Sequence, residues 1–291
     1  MISNKEANKI KVDWMLTRFT HKRVLITGGA SGLGRAIVFK FAKLGWKIAV
    51  VDINLDGAKD VATEANKLGA EAIALFCDVG KDEDFIKIAD LLKEKWGGLD
   101  ILVNNAGIAT TGMMVDCSPE QWDRAINLNL TSVYRGCNYW LPLFSQDGPG
   151  HIVNTASAAG LIKAPSMMSY NVSKAGVVAL SETLCTELAY RNIGVSVLCP
   201  AFFKTNLLDS MAPGEQALKP LVEKWMANSK ISADDVAADV IKGIEKNQLM
   251  VISHDYARKA YRLKRFFPNR FIKGMSKKVP QIMASKAKLE S

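Results

Sequence analysis

Tyr170 and Lys174, four residues apart in Tyr170-Asn171-Val172-Ser173-Lys174, are the first pair in the chain able to do chemistry together. On a helix, residues i and i+4 share a face, so a phenol and an ammonium placed there reach one ligand. The ammonium favours the phenolate. A group whose ordinary pKa is about 10 would then exchange protons nearer neutrality. That is a general acid and base for the oxygen of a carbonyl/alcohol pair. The spacing alone is a common coincidence in 291 residues, so its weight rests on what the rest of the chain places around it.

A second stretch supplies a binding chemistry. Thr27-Gly28-Gly29-Ala30-Ser31-Gly32-Leu33-Gly34 lies between an apolar run, Arg23–Thr27, and a helical pattern, Arg35–Leu44. Glycines at a strand-to-helix turn let backbone N–H groups approach a pyrophosphate and let helix and strand pack closely. The helix N-terminus then favours the anion. Gly28, Ser31, Gly32, Leu33 and Gly34 are therefore candidate dinucleotide contacts, against the plainer reading of a tight turn. Asp52 closes the next apolar run, Lys47–Val51. A carboxylate there accepts hydrogen bonds from ribose hydroxyls and repels a 2′-phosphate. Ile53 and Asn54 follow it and Ser31 precedes Gly32, with no basic residue at these positions, which favours NAD over NADP. The alternative is a solvated strand-end residue. Asp78, after the third run, could meet the adenine amine and Val79 could flank the ring; ordinary strand-end roles fit these two almost equally.

The elements that must hold these groups alternate. Further strands are expected at Ala72–Phe76, Leu99–Asn104, His151–Thr155, Gly194–Cys199 and Leu249–Ile252. Helices are expected at Leu55–Leu68, Asp82–Trp96, Pro119–Phe144, Ser166–Arg191 and Ser232–Lys246. Most of the strands are continuous apolar runs rather than alternating ones, as in a parallel sheet covered on both faces. The fold class expected is α/β: a Rossmann-type doubly wound parallel sheet in a single domain, residues 23–255. An N-terminal arm, 1–22, would pack Trp14, Leu16 and Phe19 on the body. Leu207–Lys230, rich in Leu and Met, reads as a lid over a pocket.

Charge sets the C-terminus apart. The whole chain carries +9, yet Tyr256–Ser291 holds eleven basic residues and only Glu290 as acid, 11 − 1 = +10, leaving 9 − 10 = −1 for the rest. This basic C-terminal extension, 256–291, could lie on an anionic membrane surface. The bland readings are a solvated helix packed on the body or a subunit contact. No motif accompanies the charge that would indicate nucleic acid. Pro268 and Pro280 divide the segment. Five scattered cysteines (Cys77, Cys117, Cys137, Cys185, Cys199) suit free thiols in a reducing compartment. His21, His151 and His254 have no metal-ligand spacing. The N-terminus lacks an apolar signal region and no run reaches the ~20 apolar residues of a span, so a cytoplasmic protein is expected.

In this order the motifs resemble the short-chain dehydrogenase/reductase family: the glycine turn, Asn104-Asn105-Ala106-Gly107, Asn129-Leu130-Thr131, Ser157, Tyr170 with Lys174, and Pro200 with Thr205. The resemblance spans roughly Lys22 to Ile252. It implies a catalytic set of Asn129, Ser157, Tyr170 and Lys174. Tyr170 would exchange the proton with the substrate oxygen, and Lys174 would lower its pKa and bond the nicotinamide ribose. Ser157, just past the fifth strand, would orient and polarise the same oxygen. Asn129 would hold a water linking the lysine to a proton relay; it is preferred to Asn127 because Leu130-Thr131 follows, and its alternative is a structural kink residue. Asn105, Ala106 and Gly107 would border the cofactor, with Asn104 and Gly107 near the adenosine ribose. Pro200 would flank the nicotinamide, beside Ala201 where the family usually has glycine, and Thr205 would bond its carboxamide.

The implied function is NAD(P)-dependent hydride transfer between nicotinamide and a secondary alcohol or ketone. A homodimer or homotetramer is implied with it. An apolar substrate is expected from a pocket wall of Ile108, Ala109, Leu161, Ile162, Met167, Met168, Phe202, Phe203, Leu207, Leu208 and Met211, with Lys163 and Lys204 at the rim. Several of these could equally be ordinary core. The alternatives are a catalytically silent dinucleotide-binding sensor or scaffold, and a membrane-surface protein acting through the tail.

Overall fold

A computed structural model of the chain describes residues 16–146, 148–212 and 219–290, with side chains as far as 284. The first part of the arm, Trp14 included, and the middle of the lid lie outside the described residues.

Strands β1 (Arg23–Thr27), β2 (Lys47–Asp52), β3 (Glu71–Phe76), β4 (Ile101–Asn104), β5 (Gly150–Thr155), β6 (Ile193–Leu198) and β7 (Met250–Val251) form one parallel sheet in the order β3-β2-β1-β4-β5-β6-β7. The helices are α1 (Gly32–Ala42), α2 (Leu55–Lys67), α3 (Asp82–Trp96), α4 (Pro119–Ile126), α5 (Ser132–Trp140), α6 (Ala158–Ile162), α7 (Met168–Glu187), α8 (Lys219–Ala227), α9 (Ala233–Glu245), α10 (Asp255–Phe266), α11 (Pro268–Ser276) and α12 (Val279–Glu290). Two hydrophobic clusters, one on each face of the sheet, make the core. Every residue of β1 and β5 is buried, as expected of central strands covered on both faces, and of their polar members Arg23, His151 and Asn154 are hydrogen-bonded inside. The strand order reverses direction between β1 and β4, the place where doubly wound sheets open a crevice at the carboxyl ends of their strands.

Local chemistry sets the boundaries. α3 carries Asp82, Glu83 and Asp84 in its first turn and Lys93 and Lys95 in its last, both favourable to the helix dipole. It ends on Gly97 in the left-handed conformation, φ +71°. Opposite the cleft, Arg23 is locked to Asp100: its guanidinium donates to both carboxylate oxygens at 2.9 and 3.2 Å, and its backbone N–H adds a third bond at 2.8 Å. The pair ties the start of β1 to the start of β4. Removing one partner would strand a charge in the interior.

Three segments depart from the sequence reading. The stretch Pro119–Phe144 is not one helix: a π-helical turn, Asn127–Thr131, separates α4 from α5 and 3-10 turn Leu141–Leu143 follows. The helix expected from Ser166 begins at Met168, because Ser166 has φ +59°, and it closes at Glu187 before a 3-10 turn, Ala189–Arg191. α6 lies in what read as a loop. Of the arm, Leu16 and Phe19 are buried, and Phe19 packs edge-on against Trp46. Arg18 donates to the Ile244 carbonyl at 3.0 Å and contacts His151 at 3.1 Å.

The basic tail is built into the body. Ala257 is fully buried and Phe271 nearly so. Lys264 of α10 donates to the Leu161 carbonyl at 2.5 Å. Burial and the neighbouring Lys163 push its pKa down to about 8. Pro268 and Pro280 stand in the first turns of α11 and α12, where a missing N–H costs nothing.

Candidate active site

The crevice above β1 and β4 opens into a cleft of about 1620 Å³ that runs to the tail helices. At one end the glycine turn is held by side chain to backbone bonds. Thr27 Oγ1 accepts from the N–H groups of Asn105 and Ala106 at 2.9 and 3.0 Å, and Asn105 Nδ2 donates to the Thr27 carbonyl. Gly28 and Gly32 take φ +66° and +51°, and a Cβ on Gly28 would come within 3.0 Å of Ala106. Gly28, Ser31, Gly32, Leu33, Asp52, Asp78, Val79, Asn105, Ala106 and Gly107 all face the cleft. Gly34 does not. It lies behind the turn, where a Cβ would land on the Gly28 carbonyl oxygen, so its part is close helix packing rather than ligand contact.

Asp52 is already anchored: its two oxygens accept from Ala30 N–H at 3.0 Å and Asn54 N–H at 2.9 Å. Asp78 accepts from Gly80 N–H at 2.9 Å. Asn104 is buried and donates to Asn154 across the β4–β5 joint at 2.9 Å. It does not line the cleft, which corrects its placement near a ribose; the next residue, Asn105, takes that face.

At the other end Ser157, Tyr170 and Lys174 converge. Ser157 caps α6, accepting from Ala159 N–H at 3.1 Å. α6 lies directly on α7 at Gly160, where a Cβ would come within 2.6 Å of the Lys174 carbonyl. That close packing brings the serine to the tyrosine. Burial pushes the Tyr170 phenol up to about 12, and a hydrogen bond with Ser157 opposes it. Lys174 donates to the Thr155 carbonyl at 2.9 Å, and burial lowers its pKa to about 8. Its Nζ is 5.8 Å from the Tyr170 ring centre. The sequence reading expected an ammonium to pull the phenol toward neutrality. In the protein alone burial instead moves the phenol up and the ammonium down, and Ser157 rather than Lys174 opposes the shift at Tyr170.

Asn129 is fully buried in the π-helical turn and does not reach the cleft. Its side chain spans the Ile108 backbone, accepting from the N–H at 2.8 Å and donating to the carbonyl at 3.0 Å. Gly107 beside it leaves room for Lys174: a Cβ there would stand 2.7 Å from Asn129 Oδ1 and 3.4 Å from Lys174 Nζ. Asn129 thus positions the loop after β4 through one bond at each end of its amide.

Pro200 and Thr205 face the cleft. Thr205 Oγ1 caps the 3-10 turn Asn206–Ser210, and its Cβ lies 3.7 Å from where a Cβ of Gly32 would be. Two positioning residues escaped the sequence reading. His254 accepts from Ala201 N–H at 3.2 Å and donates to the Phe202 carbonyl at 3.1 Å, pinning the loop beyond β6. Ser210 accepts from Ala109 N–H at 2.9 Å, and its carbonyl accepts from Arg124, so the start of the segment expected to be a lid is tied to the body. No spacing rule would have found either, since their partners lie 53 and 101 residues away.

The residues fit a dinucleotide with its nicotinamide at the Ser157 end. Gly28 and Gly107 leave cradles that a Cβ would fill, and Thr155 Oγ1, buried at the cleft, has no hydrogen-bond partner among the described residues.

Of the expected substrate wall, Ile108, Ala109, Ile162, Met167, Phe202, Phe203, Leu207 and Leu208 line the cleft. Leu161 and Met211 are buried in core clusters instead, and Met168 also faces elsewhere. Lys163 and Lys204 do not reach the rim; Arg124, Lys230, Lys259 and Lys278 do. Trp225 and Met226 of α8 and Phe271, Met275 and Ile282 of the tail complete the wall. Among the described residues no three His, Cys, Asp or Glu side chains group as metal ligands.

Comparison with known proteins follows this geometry. A protein-family model described as short chain dehydrogenase matches residues 22–216. The chain is similar to the 3-oxoacyl-acyl-carrier-protein reductase FabG of Thermotoga maritima, 33% identical over 67% of this chain and 79% of the relative. It is similar to estradiol 17-beta-dehydrogenase 11 of Rattus norvegicus, 30% identical over 88% of this chain and 83% of the relative. Among solved structures, a short chain dehydrogenase/reductase from Burkholderia phymatum in complex with NAD superposes with a TM-score of 0.81 at 31% identity, covering 85% of this chain and 94% of that one.

Proposed function

Given that the chain belongs to the short-chain dehydrogenase/reductase family and is an oxidoreductase of the alcohol/ketone class, we propose that it transfers a hydride between NAD and an apolar secondary alcohol or ketone. The observation that carries this reading is the meeting of Ser157, Tyr170 and Lys174 at one end of a cleft whose other end is the glycine turn. NAD, when bound, supplies or accepts the hydride.

Tyr170 gives the proton to the substrate oxygen in reduction and takes it in oxidation. Ser157 donates a hydrogen bond to the same oxygen and holds it against the phenol. Lys174, held by the Thr155 carbonyl, presents its ammonium beside Tyr170 and toward the ribose. Asn129 fixes the loop over the lysine through Ile108. Gly28, Ser31, Gly32, Leu33, Asn105, Ala106 and Gly107 would hold the pyrophosphate and adenosine. Asp78 and Val79 would flank adenine, and Pro200 and Thr205 the nicotinamide.

The anchored Asp52 supports NAD over NADP: a fixed carboxylate receives ribose hydroxyls and opposes a 2′-phosphate. Ile162, Met167, Phe202, Trp225 and Phe271 support an apolar substrate. The two relatives, named for estradiol and a 3-oxoacyl group, are in keeping with it. A homodimer or homotetramer and a cytoplasmic location belong to the same proposal. The second rests on five free cysteines.

The test is a panel of secondary alcohols and ketones followed through NADH absorbance, with NADPH as comparison. Tyr170→Phe should lower kcat by about 10² to 10⁴ while NADH binding stays near normal. Retained turnover in that variant would remove Tyr170 from the acid/base role.

A further inference from the structure

We propose that the tail helices dock this protein on an anionic lipid surface, and that the apolar substrate enters the cleft from that surface. The second clause rests on the proposed function; the first does not. Residues 256–284 contain Arg258, Lys259, Arg262, Lys264, Arg265, Arg270, Lys273, Lys277 and Lys278 and no acidic residue. Arg258, Arg262 and Arg265 recur at i, i+4 and i+7 on α10, and all three are exposed; Arg258 also pairs with Asp255, the helix's first residue and its one acid, at 2.7 Å. A second stripe on α10, Tyr256 and Leu263 at i and i+7, is also exposed, and so is Phe267, the residue that closes the helix. Phe266 adjoins it with 72% of its surface open, and Phe267 is 57% open. Ile272 and Met283 continue the apolar exposure onto α11 and α12.

Water gives no reason for large apolar side chains to crowd together on a solvent face. Two stripes, one cationic and one apolar, are what an interfacial helix needs: lysine and arginine meet anionic headgroups while Phe and Leu enter the acyl boundary. A soluble acidic partner would answer the charges and leave the phenylalanines wet. A second copy of this chain carries the same positive charge and would meet repulsion. No helix among the described residues is long and apolar enough to cross a membrane, so contact here is lateral.

The position of this surface links it to the site. Tyr256, Lys259, Phe271, Met275, Lys278 and Ile282, from the same three helices, line the cleft. The basic apolar tail is therefore one wall of the substrate space. A hydrophobic alcohol dissolved in a bilayer would pass between these helices without crossing water.

Flotation of the full chain with vesicles tests the proposal. Expected is little binding to phosphatidylcholine alone, strong binding once phosphatidylglycerol is added, and loss in high salt. Arg258→Glu/Arg262→Glu/Arg265→Glu should weaken binding by about fivefold or more per charge. Phe266→Asp/Phe267→Asp should weaken it at least tenfold. Neither variant touches the cleft, so turnover of a water-soluble alcohol should match wild type in both and report that they fold. Turnover of an alcohol loaded into anionic vesicles should fall in both. Wild type that ignores anionic vesicles overturns docking, and so does retention on polyglutamate alone. A phenylalanine variant that instead halves the mass in sedimentation would assign this face to a subunit contact and overturn it as well. Vesicle binding with no turnover of any alcohol would leave docking intact and remove the proposed function.

Discussion

The two ends of the cleft are made of different material. The nucleotide end is backbone: Gly28 and Gly32 in the left-handed region, Thr27 and Asn105 cross-bonded through main-chain groups, Asp52 clamped by two N–H donors. The substrate end is side chains brought from five places, the loop after β4, α6 with the turn before α7, the segment after β6, α8 and the tail. Backbone cradles admit few residue types, so one nucleotide site can persist while the sequence around it changes. A side-chain wall can be re-cut one residue at a time, and that is where substrate choice resides.

The sharpest way to break this contrast is to add one carbon at the nucleotide end. In Gly34→Ala the new Cβ meets the Gly28 carbonyl oxygen, which belongs to the turn itself and has no room to move. Overpacking typically costs about 1–3 kcal/mol, and a clash with backbone that cannot yield belongs at the upper end. Thermal unfolding should shift down and NADH affinity, read by fluorescence, should fall at least tenfold. Unchanged affinity would show that the turn is softer than its geometry implies.

Legibility follows the same division. β1 and α3 have the bounds their sequences predict, since a five-residue apolar run and a helix with an acidic start and a glycine stop are local signals. The glycine turn, Ser157, Tyr170 and Lys174 were legible for the same reason: their residue types are restricted at fixed spacings. Asn129 was legible as a residue of the site, and the contacts it makes match the structural alternative its sequence offered. Its bonds to Ile108 span 21 residues and open a π-helical turn inside a continuous helical pattern. His254, Ser210 and the tail's place in the cleft wall were hidden, because each depends on where distant chain ends up. The tail's charge marked it as separate, whereas its packing through Ala257, Lys264 and Phe271 makes it part of the domain.

A second measurement isolates the scaffold from the cleft through one histidine. His151, at the joint of β5 and β6 far from the cleft, donates from Nε2 to Ser196, whose hydroxyl is committed to the Gln248 carbonyl. Its Nδ1 then accepts from Arg18, so the ring is neutral. Burial first, and Arg18 second, lower its pKa to about 3. In the unfolded chain an ordinary histidine takes up a proton near pH 6.5, which the folded one refuses until about pH 3. Between those values the unfolded state binds more protons, so stability falls as pH falls, by about 1.4 kcal/mol per unit. Denaturant midpoints should show that slope from pH 6.5 downward. His151→Gln should be less stable at pH 7 yet lose the slope. A slope unchanged in the variant would assign acid sensitivity elsewhere.

The smallest effect is expected where the substrate end is tied down. Ser210 holds the lid with one side-chain bond, accepting from Ala109 N–H, while its hydroxyl also donates to Leu207. Ser210→Ala removes both bonds and leaves Ala109 N–H unpaired, a loss of about 1 kcal/mol. Because the bond joins lid to body and touches no reacting atom, the loss should appear as a rise in KM for the alcohol of about fivefold. NADH affinity and kcat should stay within twofold. If instead NADH affinity falls together with KM, the lid would serve the nucleotide as much as the substrate. The two ends would then be one mechanical unit, and the contrast between backbone cradle and side-chain wall would describe composition without describing function.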